Sequence, residues 1–432
     1  MIRTIRSTDK GFSARIDAIT SRGAMDSSGV EDRVKIIIDD VKGRGDAALV
    51  EYTARFDKVD LQKGFEVTKA QIDRAVASLP KDEIRLIKLS ASRIAAFHKR
   101  QLQRSWTYKD EFGSTLGQKV TPMERVGIYV PGGKAAYPST VLMNAIPARV
   151  AGVKEVIMVT PPNKDGANPY VLAAAKVAGV DRIFTVGGAQ SIAALAYGTK
   201  SIPKVHKITG PGNIYVATAK KLVYGTVDID MIAGPSEILV INDGTGNARW
   251  IALDLLSQAE HDELASGILI TTCVKMARAV SEQIEELLCV LKRRDIARKS
   301  INSYGAIILV KNLKEAAAIS NRIAPEHLEL AVKRPNLLLK SITNAGAVFL
   351  GTDTPEAAGD YLAGPNHTLP TGGTAKFSSP LGVEDFLKKT SIIGFSRKAM
   401  GALGARIKKF ADLEGLEAHG LSAGARLEKN PK

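Results

Sequence analysis

Before Lys109, apolar positions recur mainly at helical spacing. Val30, Val34, Ile37, Ile38 and Val41 mark one helix, Thr68 is placed to cap a second that runs through Ala77, and Ile84, Ile87, Ala91 and Ile94 trace a third. From Val126 the rhythm changes to short β-rich runs, at Val126–Val130, Val156–Thr160, Ile183–Val186, Val205–Ile208 and Ile238–Ile241. Helix-compatible stretches such as Tyr170–Ala178 and Ser191–Ala196 lie between most of them. The alternation continues with helix Ala248–Leu264, strand Gly267–Thr272, helix Lys275–Leu291, strand Ala306–Val310 and helix Leu313–Arg322.

Strands alternating with helices predict βαβ units and parallel sheets. The expected architecture is α/β, with two Rossmann-like doubly wound lobes plus small helical terminal segments. Residues 1–125 are expected to be a helical part packing with the second lobe. Residues 126–240 form the first α/β lobe, residues 241–380 the second, and the junction falls within Ile229–Asp243. Residues 381–432 read as a helical tail, too short to bury much core alone and suited to packing on a partner subunit.

The chain has 432 residues, of which 45% are hydrophobic and 24% charged, an ordinary globular composition. No stretch approaches the ~20 consecutive apolar residues of a membrane span. Met1-Ile-Arg-Thr-Ile-Arg6 is followed by no apolar core, so no secretory signal is expected, and Asp9 and Asp17 weaken the reading of an organelle leader. Cys273 and Cys289 sit in apolar settings and are expected to be buried, reduced thiols, which fits a cytoplasmic protein. Charge alters the picture: 60 Lys and Arg against 45 Asp and Glu give +15, the footprint of a nucleic-acid partner. The excess is local, however. Arg85–Lys109 carries seven basic residues and no acid, and the chain from Lys388 onward carries ten against four. Two peripheral basic segments suit a solvated surface better than a nucleic-acid groove, and no nucleic-acid partner is expected.

Three predicted βα turns are glycine-rich: Pro131-Gly132-Gly133, Gly187-Gly188-Ala189-Gln190 and Gly210-Pro211-Gly212-Asn213. Glycine lets backbone N–H groups at a helix start approach a phosphate, although tight βα turns also use it for geometry alone. Three such turns at neighbouring strand ends favour a nucleotide crevice. The G-x-G-x-x-G fingerprint is absent, so an ordinary Rossmann dinucleotide mode is not supported.

Of six histidines, His98 and His206 read as structural or surface residues. The others fall in polar clusters, around His261, His327, His367 and His419. Gln258 and His261 are three residues apart on a predicted helix and can face one point. With Asp360 and His419 they offer N and O donors that suit Zn²⁺ or a similar ion, but spacing alone does not show a metal site. Glu326 and His327 could supply two proton-transfer groups if Pro325 marks an element boundary; a surface loop is the alternative.

Taken together, these segments resemble the histidinol dehydrogenase family. The stretches are Val126-Gly-Ile-Tyr-Val-Pro-Gly-Gly133, Val186-Gly-Gly-Ala-Gln190, Gly210-Pro-Gly-Asn213, Asp230-Met-Ile-Ala-Gly-Pro-Ser236-Glu237 and Asp254-Leu-Leu-Ser-Gln-Ala-Glu-His-Asp262. They continue with Ala324-Pro-Glu-His-Leu-Glu329, the run Gly364-Pro-Asn-His367 through Pro380, and Glu414-Gly-Leu-Glu-Ala-His419. The resemblance implies oxidation of L-histidinol to L-histidine through a bound L-histidinal, the final steps of histidine biosynthesis, with two hydride transfers to NAD⁺. It implies one Zn²⁺ per subunit, held by Gln258, His261, Asp360 and His419. Ser236, His327 and Glu414 join those ligands in contacting substrate. Glu326 and His327 carry the catalytic roles, and Tyr129, Gln190 and Asn213 the cofactor contacts. A homodimer is implied, its C-terminal segment completing the partner's site. The alternative within the family is the same zinc and NAD chemistry on another small alcohol, such as a sulfonated diol. His206 departs from the family pattern, standing where many relatives have Asp.

Overall fold

The structure is a computed structural model that describes residues 2–20, 28–61, 64–132, 136–164 and 166–428; Gly133 of the first glycine turn lies outside the described residues. In chain order the strands are β1 (Arg3–Arg6), β2 (Trp106–Lys109), β3 (Thr115–Pro122), β4 (Arg125–Tyr129), β5 (Glu155–Val159), β6 (Arg182–Phe184) and β7 (Lys207–Thr209). They continue with β8 (Asp228–Ile229), β9 (Glu237–Asn242), β10 (Ser266–Thr271), β11 (Ala306–Leu309), β12 (His327–Ala331), β13 (Ala347–Leu350) and β14 (Leu387–Gly394).

Two parallel sheets result. The first has the order β6-β5-β4-β7-β8 and the second β1-β11-β10-β9-β12-β13. Their central strands are near-continuous Val, Ile, Leu and Met runs, such as Val156–Val159 and Ile238–Ile241, buried on both faces. In each sheet the chain first builds outward on one side and then returns to the other. The strand order therefore switches between β4 and β7, and again between β9 and β12. Such switch points leave a crevice between the flanking loops.

The protein has two compact units, residues 1–101 with 124–386, and residues 102–123 with 387–432. The first contains both parallel sheets. Its helices Ser28–Arg44 and Asp46–Phe56 bury Val34, Ile38, Val41 and Leu49 against Ile157, Phe184 and Ile192 of the first sheet's layer. This narrows the expectation that residues 1–125 pack with the second lobe. Among the described residues β1 and helix Phe12–Thr20 do so, through Ile5, Ile16 and Ile19 against Leu239 and Ile308, and helix Lys81–His98 touches that lobe where Ser90 Oγ donates to Tyr361 O at 2.6 Å. An amphipathic stripe states that a face will be buried, not which lobe receives it.

In the second unit β14 pairs antiparallel with β3, and β3 with β2. The tail is thus not helical throughout: Lys388, Lys389 and Thr390 gave no apolar alternation, because the strand is largely exposed. Helices Arg397–Leu413 and Glu417–Ala425 follow it. The thiols differ from expectation as well. Cys273 is half-buried and Cys289 exposed, because Leu287 and Leu288 take the inward positions at that helix end. Among the described residues no helix is long and apolar enough to cross a membrane.

Candidate active site

The sharpest polar cluster lies at the amino ends of β9 and β12. Helix Leu313–Ile323 closes on Ala324 in the left-handed conformation, and the chain turns at Pro325 into β12. Glu237 and Glu326 then exchange bonds across the switch point. The Glu237 N–H donates to Glu326 Oε2 at 2.9 Å, and the Glu326 N–H donates to Glu237 Oε2 at 3.3 Å. His327 donates from Nδ1 to the Glu237 carbonyl at 2.9 Å, which leaves Nε2 as the bare lone pair. That Nε2 is buried and without a hydrogen-bond partner.

Glu356 faces it. Its Oε1 stands 3.5 Å from His327 Nε2 and likewise lacks a hydrogen-bond partner. Asp360 completes the group: one ligand atom each from His327, Glu356 and Asp360 lie within 4.8 Å of one another. Asp360 is carried on a π-helical turn, Gly359–Ala363, a distortion that often re-aims a side chain at a site. Gln258 is buried at the end of helix Ala248–Ala259 and hydrogen-bonds Glu356. His261 follows just beyond that helix, exposed, and near enough for its charge to act on His327. Ser236, half-buried, immediately precedes Glu237.

Burial sets the electrostatics. It drives the His327 imidazole down to about 4, the Asp360 charge opposing, so the ring is neutral at pH 7. It holds Glu326 well above the usual carboxylate range and lifts Glu356 to about 8. Behind this cluster Asp254 and Glu329 form a hydrogen-bonded carboxyl pair, also raised by burial, with Asp254 near 6. Glu329 Oε1 in addition accepts the Glu356 N–H at 3.0 Å.

A second group of predicted residues gathers at the carboxyl ends of the first sheet. Tyr129 ends β4, is buried, and hydrogen-bonds the Gly188 backbone through its hydroxyl; burial pushes that hydroxyl up to about 12. Gln190 lies in the first turn of helix Gly188–Tyr197, and both polar atoms of its buried amide lack partners. Asn213 caps helix Ile214–Val223, Oδ1 accepting from the N–H groups of Tyr215 and Val216. The structure therefore brings Tyr129, Gln190 and Asn213 to one sheet edge, with Tyr129 and Asn213 flanking the switch point.

The segment around His367 ties the lobes together: Asn366 Nδ2 donates to Met143 O at 2.7 Å, and the Gly372 N–H donates to Glu237 Oε1 at 3.2 Å. Glu414 and His419 belong to the second unit. There both are exposed and line an apolar groove with Leu403, Ile407, Phe410 and Leu416.

The family model for histidinol dehydrogenase matches residues 20–427. The chain belongs to the histidinol dehydrogenase family. It is 60% identical over 429 residues to the histidinol dehydrogenase of Syntrophotalea carbinolica, covering 99% of this chain and 100% of that protein. It is 59% identical over 422 residues to that of Geobacter metallireducens, covering 97% of each. The crystal structure of histidinol dehydrogenase from Elizabethkingia anophelis superposes with a TM-score of 0.93 at 37% identity, covering 99% of this chain and 98% of that one. As a member of the histidinol dehydrogenase family the protein is an oxidoreductase, and its α/β architecture is that of the solved relative.

Motif reading missed Glu237, Asp254, Glu329 and Glu356. Spacing held a signal for three of them: Glu356 is one helical turn before Asp360, Asp254 one turn before Gln258, and Glu329 two residues beyond His327 on the same strand face.

Proposed function

We propose that this protein oxidises L-histidinol to L-histidine through L-histidinal, in two hydride transfers to NAD⁺, with one Zn²⁺ per subunit. The observation that carries the reading is the neutral, buried His327 with its Nε2 lone pair bare, beside Glu326 and Asp360.

The residues fit both groups. The Gln258 amide and the Asp360 carboxylate bring N and O donors of the kind zinc takes beside the bare His327 Nε2. Gln258, His261, Asp360 and His419 would hold the ion. The unpartnered Gln190 amide and the glycine turns at a switch point suit a dinucleotide, which Tyr129, Gln190 and Asn213 would contact. When bound, zinc anchors the imidazole and amine of the substrate, and NAD⁺ accepts hydride.

His327 takes the alcohol proton at Nε2. The Glu237 carbonyl keeps the ring in the required tautomer, and removing that proton makes the carbinol carbon a better hydride donor. For the second oxidation Glu326 takes a proton from the water that attacks histidinal. Its raised pKa makes the ionised group a stronger base than an ordinary carboxylate. His327, having passed its first proton to solvent, then removes a proton from the resulting gem-diol as the second hydride leaves for a fresh NAD⁺. Ser236, Asp360 and Glu414 contact the substrate.

The tail supports a homodimeric reading. Glu414 and His419 border an apolar groove whose Phe410 is 64% exposed, a surface suited to a partner subunit's site. The test is NADH production by the purified zinc-loaded protein on L-histidinol. Turnover of other small alcohols with none on histidinol would overturn the substrate; no turnover of any would overturn the chemistry.

A further inference from the structure

Lys220 is among the largest fully buried side chains, and its ammonium pairs with Asp230, the two side chains 2% and 1% exposed. A buried ion pair repays its desolvation only when its other donors and acceptors are also satisfied. Here they are satisfied largely by one residue, Gly210. Lys220 Nζ donates to Gly210 O at 2.9 Å, and Asp230 Oδ2 accepts the Gly210 N–H at 2.8 Å. Asp230 Oδ1 also accepts the Met231 N–H at 2.7 Å. Both backbone polar groups of a single glycine are held by one ion pair.

That glycine is in a demanding place. Its φ is +111°, where L side chains rarely go, and a Cβ there would sit 2.1 Å from the Tyr129 carbonyl oxygen. Gly210 is therefore pressed onto the last residue of β4, at the first sheet's switch point. The clamp also joins three segments. Asp230 follows β8, Gly210 follows β7, and Lys220 lies on helix Ile214–Val223, which Asn213 caps. Movement of this turn would carry Tyr129 and Asn213 with it.

We propose that Lys220 and Asp230 are positioning residues for dinucleotide binding: through Gly210 they fix the turn that presents Tyr129 and Asn213, without touching the cofactor. This rests on the reading of those residues as the NAD site. A purely structural pair would stabilise the fold and leave cofactor affinity unmoved.

The test compares wild type with K220M/D230N, which removes both charges together and so leaves no lone buried ion. K220Q/D230N restores a donor to Gly210 O, and N213A probes the cofactor reading itself. Each zinc-loaded protein is titrated with NADH by fluorescence, with bound zinc and the KM for histidinol measured beside it. K220M/D230N is expected to bind NADH roughly tenfold more weakly, the scale of one charge-assisted hydrogen bond, with zinc and the histidinol KM unchanged. K220Q/D230N is expected to recover most of that loss. If N213A weakens binding while the folded double variants bind like wild type, the clamp is refuted alone. If N213A binds like wild type, the cofactor reading fails. Loss of zinc in parallel with NADH would show general damage and refute the positioning role. Should K220M/D230N not fold, K220Q/D230N decides, and affinity equal to that of wild type overturns the proposal.

Discussion

Glu329 offers the deepest test of how the site is held. It is 2% exposed and connects three segments at once. Its own strand, β12, begins with His327. Its carboxyl pairs with Asp254, one turn before Gln258, and its Oε1 accepts the Glu356 N–H at the start of the segment bearing Asp360. Leucine at this position would leave a buried N–H without an acceptor, about 1–3 kcal/mol, and a buried Asp254 carboxyl without its partner, about as much again. The added apolar burial offsets part of this, so E329L should cost about 2–4 kcal/mol in denaturant unfolding. Glutamine keeps the volume, an acceptor for the Glu356 N–H and a donor for Asp254, so E329Q should cost less than about 1 kcal/mol. Because the three segments carry proposed metal ligands or their neighbours, E329L should also weaken zinc at least tenfold in a chelator competition, the usual size of such outer effects. Wild-type stability and zinc affinity in E329L, or equal damage from E329Q, would refute the reasoning.

Replacing the proposed base with H327N should lower kcat by roughly 10²–10⁴ while zinc content stays at one per subunit; a loss of zinc would instead make His327 a ligand. E326Q should impair oxidation of added histidinal more than the first hydride step, and pre-steady-state NADH bursts would separate the two; equal damage speaks against water activation. Burial pushes the Asp254 carboxyl up to about 6 from its ordinary value of 3.8, so the folded state holds the extra proton between those values. Its stabilising protonated form is fully present below the lower value and lost as pH rises through the upper. The stability of wild type relative to D254N should therefore fall between about pH 4 and pH 6, by on the order of 2 kcal/mol, in pH-resolved unfolding; a rise would invert the assignment. Truncation before Glu414 should abolish zinc binding, and an active truncated monomer would contradict a tail that completes the site.

How far the sequence spoke follows from the physics of each element. The central strands were legible because a parallel strand buried on both faces reads as a bare apolar run, as Val156–Val159 does. Thr68 was legible as a cap because it forms a capping box with Gln71, a purely local device. β1 and β14 were not, since an edge strand with most side chains in water carries no alternation. Glu326 and His327 stood out as neighbours in the chain and meet at a strand end, as Pro325 suggested. Glu237 became visible only in three dimensions, because sheet order, not chain proximity, brings it to His327. The same holds for the Lys220–Asp230 pair: on the chain they are two ordinary charges, and only the fold closes them around Gly210.

The account's central claim is a four-electron oxidation at one site. The measurement that tests it most directly is the stoichiometry of the zinc-loaded protein on limiting L-histidinol, with NADH and L-histidine quantified together. The account predicts about two NADH for each histidinol consumed, histidine as the product and no histidinal released to a trapping reagent. One NADH per histidinol with histidinal accumulating, or no NADH at all, would contradict it.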